Sequence, residues 1–258
     1  MTVHYSVENH VARVTIDRPD RMNAVDAATW DRLEQIWVEI EQDPDVRVVV
    51  LTGSGSKAFS AGADMKSAGE KKGLEYWADP RPGGFGGIAM RKTLNVPVIA
   101  RVNGFALGGG FEMVLGCDIV ISAEHTKFGF TEPRVGRLPL NGGMVLLPRL
   151  IPEKIAMGIL LTGSKIMASE AERYGLINEV VPESELDQTV DKWVENILAC
   201  APLSLKAIKE SVKQTIDLPV ELAQSVRLPA LLEALTSEDA KEGVQAFKEK
   251  RAPDWKGR

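Results

Sequence analysis

The chain has 258 residues, a mass of 28.1 kDa and a formal net charge of −5, with 44% hydrophobic and 26% charged residues. This length allows one large domain, or a core with a smaller appendage, and it allows a sizeable hydrophobic interior. The acidic balance offers no basic patch for a phosphate backbone, so we expect no nucleic-acid partner.

The cysteines and histidines give no sign of a metal site. Cys117 and Cys200 lie far apart in apolar surroundings, and the spacing of the histidines completes no ligand set with them. The opening stretch MTVHYSVENHVARVTID lacks the apolar segment of a signal peptide, and no apolar run reaches membrane-spanning length. We therefore expect a cytoplasmic protein without a membrane attachment.

The N-terminal part is predicted to alternate strands and helices. Two alternating runs, Val3 to Val7 and Val11 to Asp17, indicate a β-hairpin. Asp26 can cap a helix that ends before Pro44, and the β-branched run Val46 to Leu51 then suits a buried strand. This order of elements is typical of an α/β domain.

The middle of the chain begins with a change in composition. From Ser67 to Gly87 it is rich in Gly, Lys, Pro and Asp, which predicts a long mobile loop. Pro97 to Val102 and Asp118 to Ser122 are predicted strands, with a turn and a helix between them. Beyond Asn141 helical patterns dominate, apart from a strand near Leu176 to Val181.

Three glycines, Gly108, Gly109 and Gly110, precede Glu112 at the predicted start of a helix. Without side chains there, a ligand can approach backbone N–H groups that are unpaired at a helix start, which suits an anion or an oxyanion. The apolar neighbours of Glu112 would desolvate its carboxylate. The segment is equally consistent with glycines that only allow tight packing and with Glu112 as a partly exposed capping acid.

A second acid, Glu132, follows a predicted strand in KFGFTEPRVGRLPLNGG. Two acids from separate segments can converge on one substrate, as acid–base chemistry requires. A third segment matches the loose dinucleotide pattern G-x-G-x-x-G/A at Gly53, Gly55 and Ala58. No second strand with a terminal acid follows it, so we expect no nucleotide cofactor.

Three segments, KAFSAGAD, NGFALGGGFEMVLGCD and FGFTEPRVGRLPLNGG, in this order and at these spacings resemble the crotonase, or enoyl-CoA hydratase, family. The similarity covers essentially the whole chain and looks closest to carnitinyl-CoA dehydratases. It implies an α/β fold with a spiral core of β-β-α repeats over residues 1–195. Residues 196–258 would form a helical C-terminal trimerisation region, and the implied assembly is a homotrimer or homohexamer.

The resemblance also implies the site and the reaction. Glu112 and Glu132 would be the catalytic acids that add water across a 2-enoyl-CoA double bond, and the N–H groups of Ala63 and Gly109 would form the oxyanion hole. The implied contacts of the CoA portion are Lys57, Asp64, Met65, Lys66, Phe247 and Lys250. CoA is part of the acyl-CoA thioester substrate, and neither a metal nor a separate cofactor is implied.

The chain departs from typical hydratases near the second glutamate. In PLNGG, Leu140 and Asn141 replace the small residues of a PGAGG pattern, which would reshape the pocket. Arg134 and Arg137 are either surface arginines or include one paired with a neighbouring acid. Alternatively, with Arg137 as the candidate, one of them binds a carboxylate on the substrate. This last interpretation predicts a branched, aromatic or dicarboxylic substrate, such as an arylitaconyl-CoA, in place of the cationic crotonobetainyl thioester.

Two alternatives stay open from the sequence. Tyr76, Trp77 and Phe85 either line an acyl pocket or only hold the loop against the body. The same site also suits a double-bond isomerase, which needs no bound water, or an inactive CoA-binding subunit. Because both glutamates are present, the leading prediction is an enoyl-CoA hydratase or 3-hydroxyacyl-CoA dehydratase.

Overall fold

The structure is a computed structural model that describes residues 2–66, 73–78 and 80–258. Its larger sheet has the strand order β1-β2-β3-β5-β7-β10, in which only the β1–β2 pair is antiparallel. These strands are β1 (Val3–Glu8), β2 (Val11–Ile16), β3 (Val48–Gly53), β5 (Val98–Val102), β7 (Ile119–Ala123) and β10 (Glu179–Val181).

A second sheet is built from very short strands in the order β4-β6-β8-β9. They are β4 (Ala58–Ser60), β6 (Phe105–Leu107), β8 (Lys127–Gly129) and β9 (Lys165–Met167). The first three run parallel, and β9 pairs antiparallel with β8. Because β6 and β8 end directly before Gly108 and Phe130, this sheet delivers both glutamate-bearing segments to one edge.

The helices complete a repeating pattern. They are α1 (Ala27–Gln42), α2 (Leu74–Ala78), α3 (Gly109–Leu115), α4 (Gly143–Leu150), α5 (Glu153–Thr162), α6 (Ala168–Arg173), α7 (Leu186–Leu198), α8 (Pro202–Thr215), α9 (Val220–Ser225), α10 (Pro229–Thr236) and α11 (Glu238–Glu249). The sequences β3-β4-α2, β5-β6-α3 and β7-β8-α4 each give one strand to each sheet before a helix. The predicted β-β-α spiral is thereby confirmed.

The larger sheet is buried on both faces, which explains the unbroken apolar run of β3. Val49 and Leu51 belong to the core cluster that includes α1, whereas Val48 and Val50 face the cluster that α7 completes. Parallel strands covered on both sides have this composition. The predicted boundary between residues 195 and 196 falls inside α7, and the division into a core and a C-terminal region stays a prediction.

The C-terminal helices are tied to the spiral by a buried cation. Lys209 of α8 donates from Nζ to Asp118 Oδ2 at 2.5 Å and to the Val96 carbonyl at 2.6 Å. Asp118 Oδ2 also accepts from the Val98 amide at 2.7 Å, so one carboxylate joins the helix to the start of β5. None of the helices in the described ranges combines the length and the apolar character needed to span a bilayer.

The local predictions for the first elements agree with the structure. Asp26 caps α1 by accepting from the Thr29 amide at 2.9 Å, and the helix ends at Gln42, before Pro44. The hairpin turns at Asn9 and His10, both with positive φ. The predicted strand Val46 to Leu51 begins two residues too early, because β3 starts at Val48, where pairing with β2 begins.

The predicted loop from Ser67 to Gly87 is partly wrong. It contains α2 and a 3₁₀ turn, Phe85–Gly87, whose residues are buried. Trp37 Nε1 donates to the Gly86 carbonyl at 2.7 Å, so the turn is fixed to α1. Its glycines give no periodic pattern, which is why composition alone indicated a loop. Residues 80–84 contain no helix or strand, as predicted, and residues 67–72 and 79 lie outside the described residues.

Candidate active site

Two backbone segments lie against each other at the start of α3. A Cβ on Gly62 would come within 2.9 Å of the Gly109 nitrogen, and one on Gly110 within 2.1 Å of the Ser60 carbonyl oxygen. Only glycine allows such an approach, and Gly62 also has a φ of +85°. The glycines therefore bring the Ala63 amide beside the first amide of the helix, as the tight-packing and the oxyanion interpretations both require.

The hydrogen bonds of this region leave two N–H groups for a ligand. Val25 forms a parallel bridge with Ala63, using the Gly62 carbonyl and the Asp64 amide. In this geometry the Ala63 N–H points away from Val25. Gly109 is the first residue of α3, where the N–H has no partner within the helix. Both predicted oxyanion-hole donors therefore lie at one place and face away from the secondary structure that holds them.

Glu112 is almost fully buried, with 1% of its surface exposed. Its Oε1 accepts from the amides of Asn141 at 2.7 Å and Gly143 at 3.0 Å. Burial raises the pKa of the carboxyl to about 7, against the lowering by these donors, and the neighbouring charge of Glu132 raises it further. The alternative of a partly exposed capping acid is therefore wrong.

Glu132 begins a 3₁₀ turn, Glu132–Val135, directly after the β8 region. A Cβ on Gly108 would meet its Oε1 at 2.8 Å, so the carboxyl lies against the start of α3. Its Oε2 is buried without a hydrogen-bond partner in the described chain. Desolvation raises the pKa of Glu132 as well. An unpartnered buried oxygen costs free energy, so this atom is available to a water or a substrate.

The two glutamates and the two amides share one cavity of about 910 Å³. Ala63, Gly109, Glu112 and Glu132 all line it, although they come from three separate segments, with Gly109 and Glu112 both on α3. Such a volume suits a small-molecule ligand. The structure therefore brings together two carboxyls with raised pKa values and two N–H donors, which is the equipment for proton transfer next to a polarised carbonyl.

The predicted CoA contacts divide into two groups. Asp64 and Met65 line the cavity, whereas Lys57, Lys66, Phe247 and Lys250 lie outside its lining. The Asp64 carboxylate is engaged by Arg18 at 2.9 Å. Its amide donates to Val25 and the Lys66 amide donates to Asp64, so the carbonyl oxygens of this segment are the groups left to meet a ligand. The roles of all six residues stay predictions.

The two arginines beside Glu132 have different surroundings. Arg134 donates from Nε to the carbonyls of Thr162 and Gly163 at 3.1 and 3.0 Å, which ties the turn to the end of α5. Arg137 lines the cavity and, within the described chain, forms no ion pair. The surface interpretation therefore fits Arg134, and Arg137 is the arginine in position to meet a ligand.

The aromatic side chains lie in the cavity wall and also pack on the core. Trp30 lies 4.8 Å from Phe85 and 6.1 Å from Tyr76 between ring centroids, and all three line the cavity with Trp77. Arg81 lies over the Trp30 ring at 4.9 Å. Trp30 was indistinguishable in sequence from the other apolar residues of α1, since it repeats at helical spacing with them.

Sequence reasoning missed one hydrogen-bonded connection to Glu112. The Asn141 side chain donates from Nδ2 to the Tyr76 hydroxyl at 2.5 Å, while the Asn141 amide donates to Glu112. The replacement of a small residue by Asn in PLNGG was the available signal, but it indicated only a change of pocket shape. The partner is 65 positions away in the chain, so spacing could not identify it.

A family model described as enoyl-CoA hydratase/isomerase matches residues 6–258. The chain belongs to the enoyl-CoA hydratase/isomerase family. It is 40% identical to a carnitinyl-CoA dehydratase of Salmonella typhi over 261 aligned positions, which cover 100% of this chain and 99% of that protein. The predicted resemblance to the crotonase family is confirmed.

Solved structures of the family agree with this fold over the full length. The enoyl-CoA hydratase from Bacillus anthracis has a TM-score of 0.91 and 35% identity, and 100% of each chain is covered. The enoyl-CoA hydratase from Mycobacterium tuberculosis H37Rv has a TM-score of 0.90 and 32% identity, covering 100% of this chain and 99% of that one. The expectation of an enzyme of the enoyl-CoA hydratase type is confirmed at the level of the family.

Proposed function

We propose that the protein adds water across the double bond of a 2-enoyl-CoA thioester, or removes it from the 3-hydroxyacyl-CoA product. The observation that carries this proposal is the pairing of Glu112 and Glu132 across the start of α3, beside the amides of Ala63 and Gly109. An isomerase needs one base, whereas this cavity holds two carboxyls with raised pKa values. The second carboxyl is explained if a water is both held and deprotonated.

The proposed proton transfers use both carboxyls. One glutamate accepts a proton from water while the water oxygen bonds to the β-carbon. The other glutamate donates a proton to the α-carbon. The two carboxyls are coupled, because the charge of Glu132 opposes ionisation of Glu112. Either glutamate can then act as the acid or the base, according to the direction of the reaction.

The thioester oxygen would be bound by the two amides. It gains negative charge as the enolate-like transition state forms, and N–H groups aimed at it stabilise that charge. Removing one such donor costs on the order of 2.7–4 kcal/mol in comparable sites. The carbonyls of Asp64, Met65 and Lys66 would then lie near the base of CoA, and Lys57 near its phosphates.

For the acyl group, we propose a substituted substrate that carries a carboxylate. Arg137 lines the cavity without an ion pair in the described chain, and a guanidinium binds a carboxylate through two parallel hydrogen bonds. The apolar wall of Leu74, Trp77 and Leu138 suits a branched or aromatic group. An arylitaconyl-CoA combines both features, whereas the cationic group of crotonobetainyl-CoA would face Arg137 with a charge of the same sign.

The first test is turnover of a panel of thioesters in heavy-oxygen water. Crotonyl-, crotonobetainyl-, cinnamoyl- and an arylitaconyl-CoA would be followed by product mass, with Glu112→Gln and Glu132→Gln as controls. Label in a hydrated product that both variants lose supports the proposal. A shifted double bond without label would identify an isomerase, and preference for crotonobetainyl-CoA would identify a carnitinyl-CoA dehydratase.

The carboxylate preference has a separate test. Arg137→Met should lower kcat/KM for the acidic substrate by about tenfold to a hundredfold and leave crotonyl-CoA within about threefold, because only the ion pair is lost. Arg134→Met is the matched control, since Arg134 is bonded to backbone carbonyls. Unchanged selectivity in Arg137→Met would remove the proposed role.

We further propose a homotrimer or homohexamer that is cytoplasmic. Apolar side chains of the C-terminal helices are exposed in the single chain: Ile216, Val220, Leu232, Leu235 and Phe247. Exposure of this extent marks surfaces that meet another protein. Phe247 and Lys250, at the end of α11, would also contact CoA. Light scattering on the purified protein measures the assembly, and a monomer mass would contradict it.

A further inference from the structure

Asn141 contacts Glu112 and the pocket wall at the same time. Its amide donates to Glu112 Oε1 at 2.7 Å, and its carboxamide Nδ2 donates to the Tyr76 hydroxyl at 2.5 Å. Asn141 and Tyr76 both line the cavity that holds Glu112. Asn141 therefore links Glu112, which its backbone amide contacts, to Tyr76 of α2, which its side chain contacts.

Tyr76 is itself held by the core. Its ring lies 6.1 Å from that of Trp30, and Trp30 in turn packs 4.8 Å from Phe85. Trp30 belongs to α1, whose position is fixed by the larger sheet. The ring that carries the hydroxyl bonded to Asn141 is thus packed against other aromatic side chains.

The two hydrogen bonds of Asn141 come from different parts of the residue. The backbone amide donates to Glu112 Oε1, and the carboxamide nitrogen donates to the Tyr76 hydroxyl. Because both groups belong to one residue, the bond to Tyr76 also restricts the loop that carries the amide. Donors from Asn141 lower the pKa of Glu112, against the raising by burial.

We propose that Asn141 is a positioning residue for Glu112: the bond of its carboxamide to Tyr76 holds the loop, so that the Asn141 amide stays directed at the ionised carboxylate. The inference rests on the proposed function, in which Glu112 exchanges a proton with the substrate or water. It assigns to two residues of the pocket wall a part in the proton transfer that neither the motif glycines nor the second glutamate supplies.

The variant Asn141→Ala isolates the side chain. It keeps the backbone amide that donates to Glu112 Oε1 and removes only the carboxamide. Without the anchor to Tyr76, the amide is held less firmly against the charged form, so the Glu112 pKa should rise above its value of about 7. Tyr76→Phe removes one hydroxyl and should shift the pKa in the same direction by less, because the carboxamide itself remains.

The first experiment needs no substrate. Infrared spectroscopy detects protonated carboxyls, and the band that disappears in Glu112→Gln is assigned to Glu112. We would follow this band as a function of pH in the wild type, Asn141→Ala, Tyr76→Phe and the double variant. We expect the midpoint of this titration to lie roughly half a pH unit or more higher in Asn141→Ala than in the wild type. The double variant should shift no further than Asn141→Ala, since both changes break one connection. An unmoved band in Asn141→Ala, or shifts that add, would overturn the inference.

The second experiment is the pH profile of kcat/KM for a substrate found in the panel. The limb that belongs to Glu112 should move upward by the same amount in Asn141→Ala. Leu140→Ala is the matched control, because Leu140 adjoins Asn141 and lines the same cavity without a polar side chain. It should alter KM and leave the limb in place. If the same limb of the pH profile moves equally in Leu140→Ala, the effect of Asn141→Ala would be a general change of the loop and not a specific effect on Glu112.

The two readouts separate the two hypotheses. Shifts in the infrared titration with no hydration of any thioester would contradict the proposed function and support the connection. If a thioester is hydrated but the Glu112 titration is unchanged in the Asn141 and Tyr76 variants, the result would support the proposed function and contradict the positioning role of Asn141.

Discussion

Glu112 and Glu132 face one cavity from two regions of different construction. Glu112 lies in the first turn of α3, buried in the core, and its Oε1 has two backbone donors. Glu132 lies on a partly exposed turn, and its Oε2 is buried without a partner in the described chain. The first region holds the Glu112 carboxyl in place, and the second leaves the Glu132 Oε2 atom available to a ligand.

The difference shows how one cavity can give two like groups different tasks. Desolvation raises both pKa values, and for Glu112 it raises the pKa to about 7, so that this group can hold a proton near neutral pH. Of the two glutamates, only Glu112 accepts hydrogen bonds on its side chain from the backbone of other residues in the described chain. We therefore expect changes at the two sites to agree in their effect on turnover and to differ in their effect on stability.

The largest expected effect is the loss of turnover in Glu112→Gln and Glu132→Gln. Each should lower kcat by about 10²- to 10⁴-fold, because the amide cannot exchange the proton. A Gln carbonyl at position 112 can still accept from the amides of Asn141 and Gly143, so its fold should remain intact. Steady-state kinetics and circular dichroism measure both properties. A variant with full activity would remove that glutamate from the mechanism.

The second effect is a dependence of stability on pH that Glu112 supplies. A pKa raised from 4.5 to about 7 means that the folded state binds the proton more tightly than the unfolded state. The unfolded state then binds fewer protons between these values, so the free energy of unfolding falls as pH rises through this window. A rise of this size corresponds to about 3 kcal/mol at 1.36 kcal/mol per unit.

Urea unfolding of the wild type and Glu112→Gln at several pH values measures this slope. The variant should be flatter through the window, and Glu132→Gln should retain most of the wild-type slope. Equal slopes in the wild type and Glu112→Gln would contradict the burial of an ionisable carboxyl there.

A smaller effect comes from a methyl group placed against Glu132. In Gly108→Ala the new Cβ would lie 2.8 Å from Glu132 Oε1, so the carboxyl must move and kcat should fall by about tenfold. Gly136→Ala is a matched control, since Gly136 also has positive φ but no atom within 4 Å of its Cβ position. Gly136→Ala should lose roughly 1 kcal/mol of stability through strain in the left-handed region. Gly108→Ala should lose more, because its φ of 54° and ψ of −126° lie outside that region. A similar kcat in both variants would contradict a contact between the Glu132 carboxyl and the start of α3 that matters for turnover.

The smallest effect is expected for Arg134→Met. Its Nε donates to two carbonyls on a partly exposed surface, so its loss should cost less than about 1 kcal/mol of stability. Turnover should stay within about twofold of the wild type, because Arg134 does not line the main cavity. A large loss of kcat would mean that the turn carrying Glu132 depends on this anchor.

The sequence by itself predicted the features that are local or carried by motifs. Asp26 caps α1 as its position before the helical pattern indicated, and the glycines before Glu112 open the start of α3. The family resemblance identified the two glutamates and two amides that the fold brings to one cavity. The placement of these residues was predictable because capping, glycine conformations and motif spacing are set by neighbours in the chain, while the catalytic roles stay predictions.

Only the tertiary structure decided the features that depend on distant segments. β4, β6 and β9 have three residues each, too few for a periodic pattern, and they exist because partner strands supply their hydrogen bonds. The pKa of Glu112 depends on burial by the whole core, and the contact of Asn141 with Tyr76 joins positions 65 apart. Such energies arise from groups brought together by folding, so they have no signal in the local sequence.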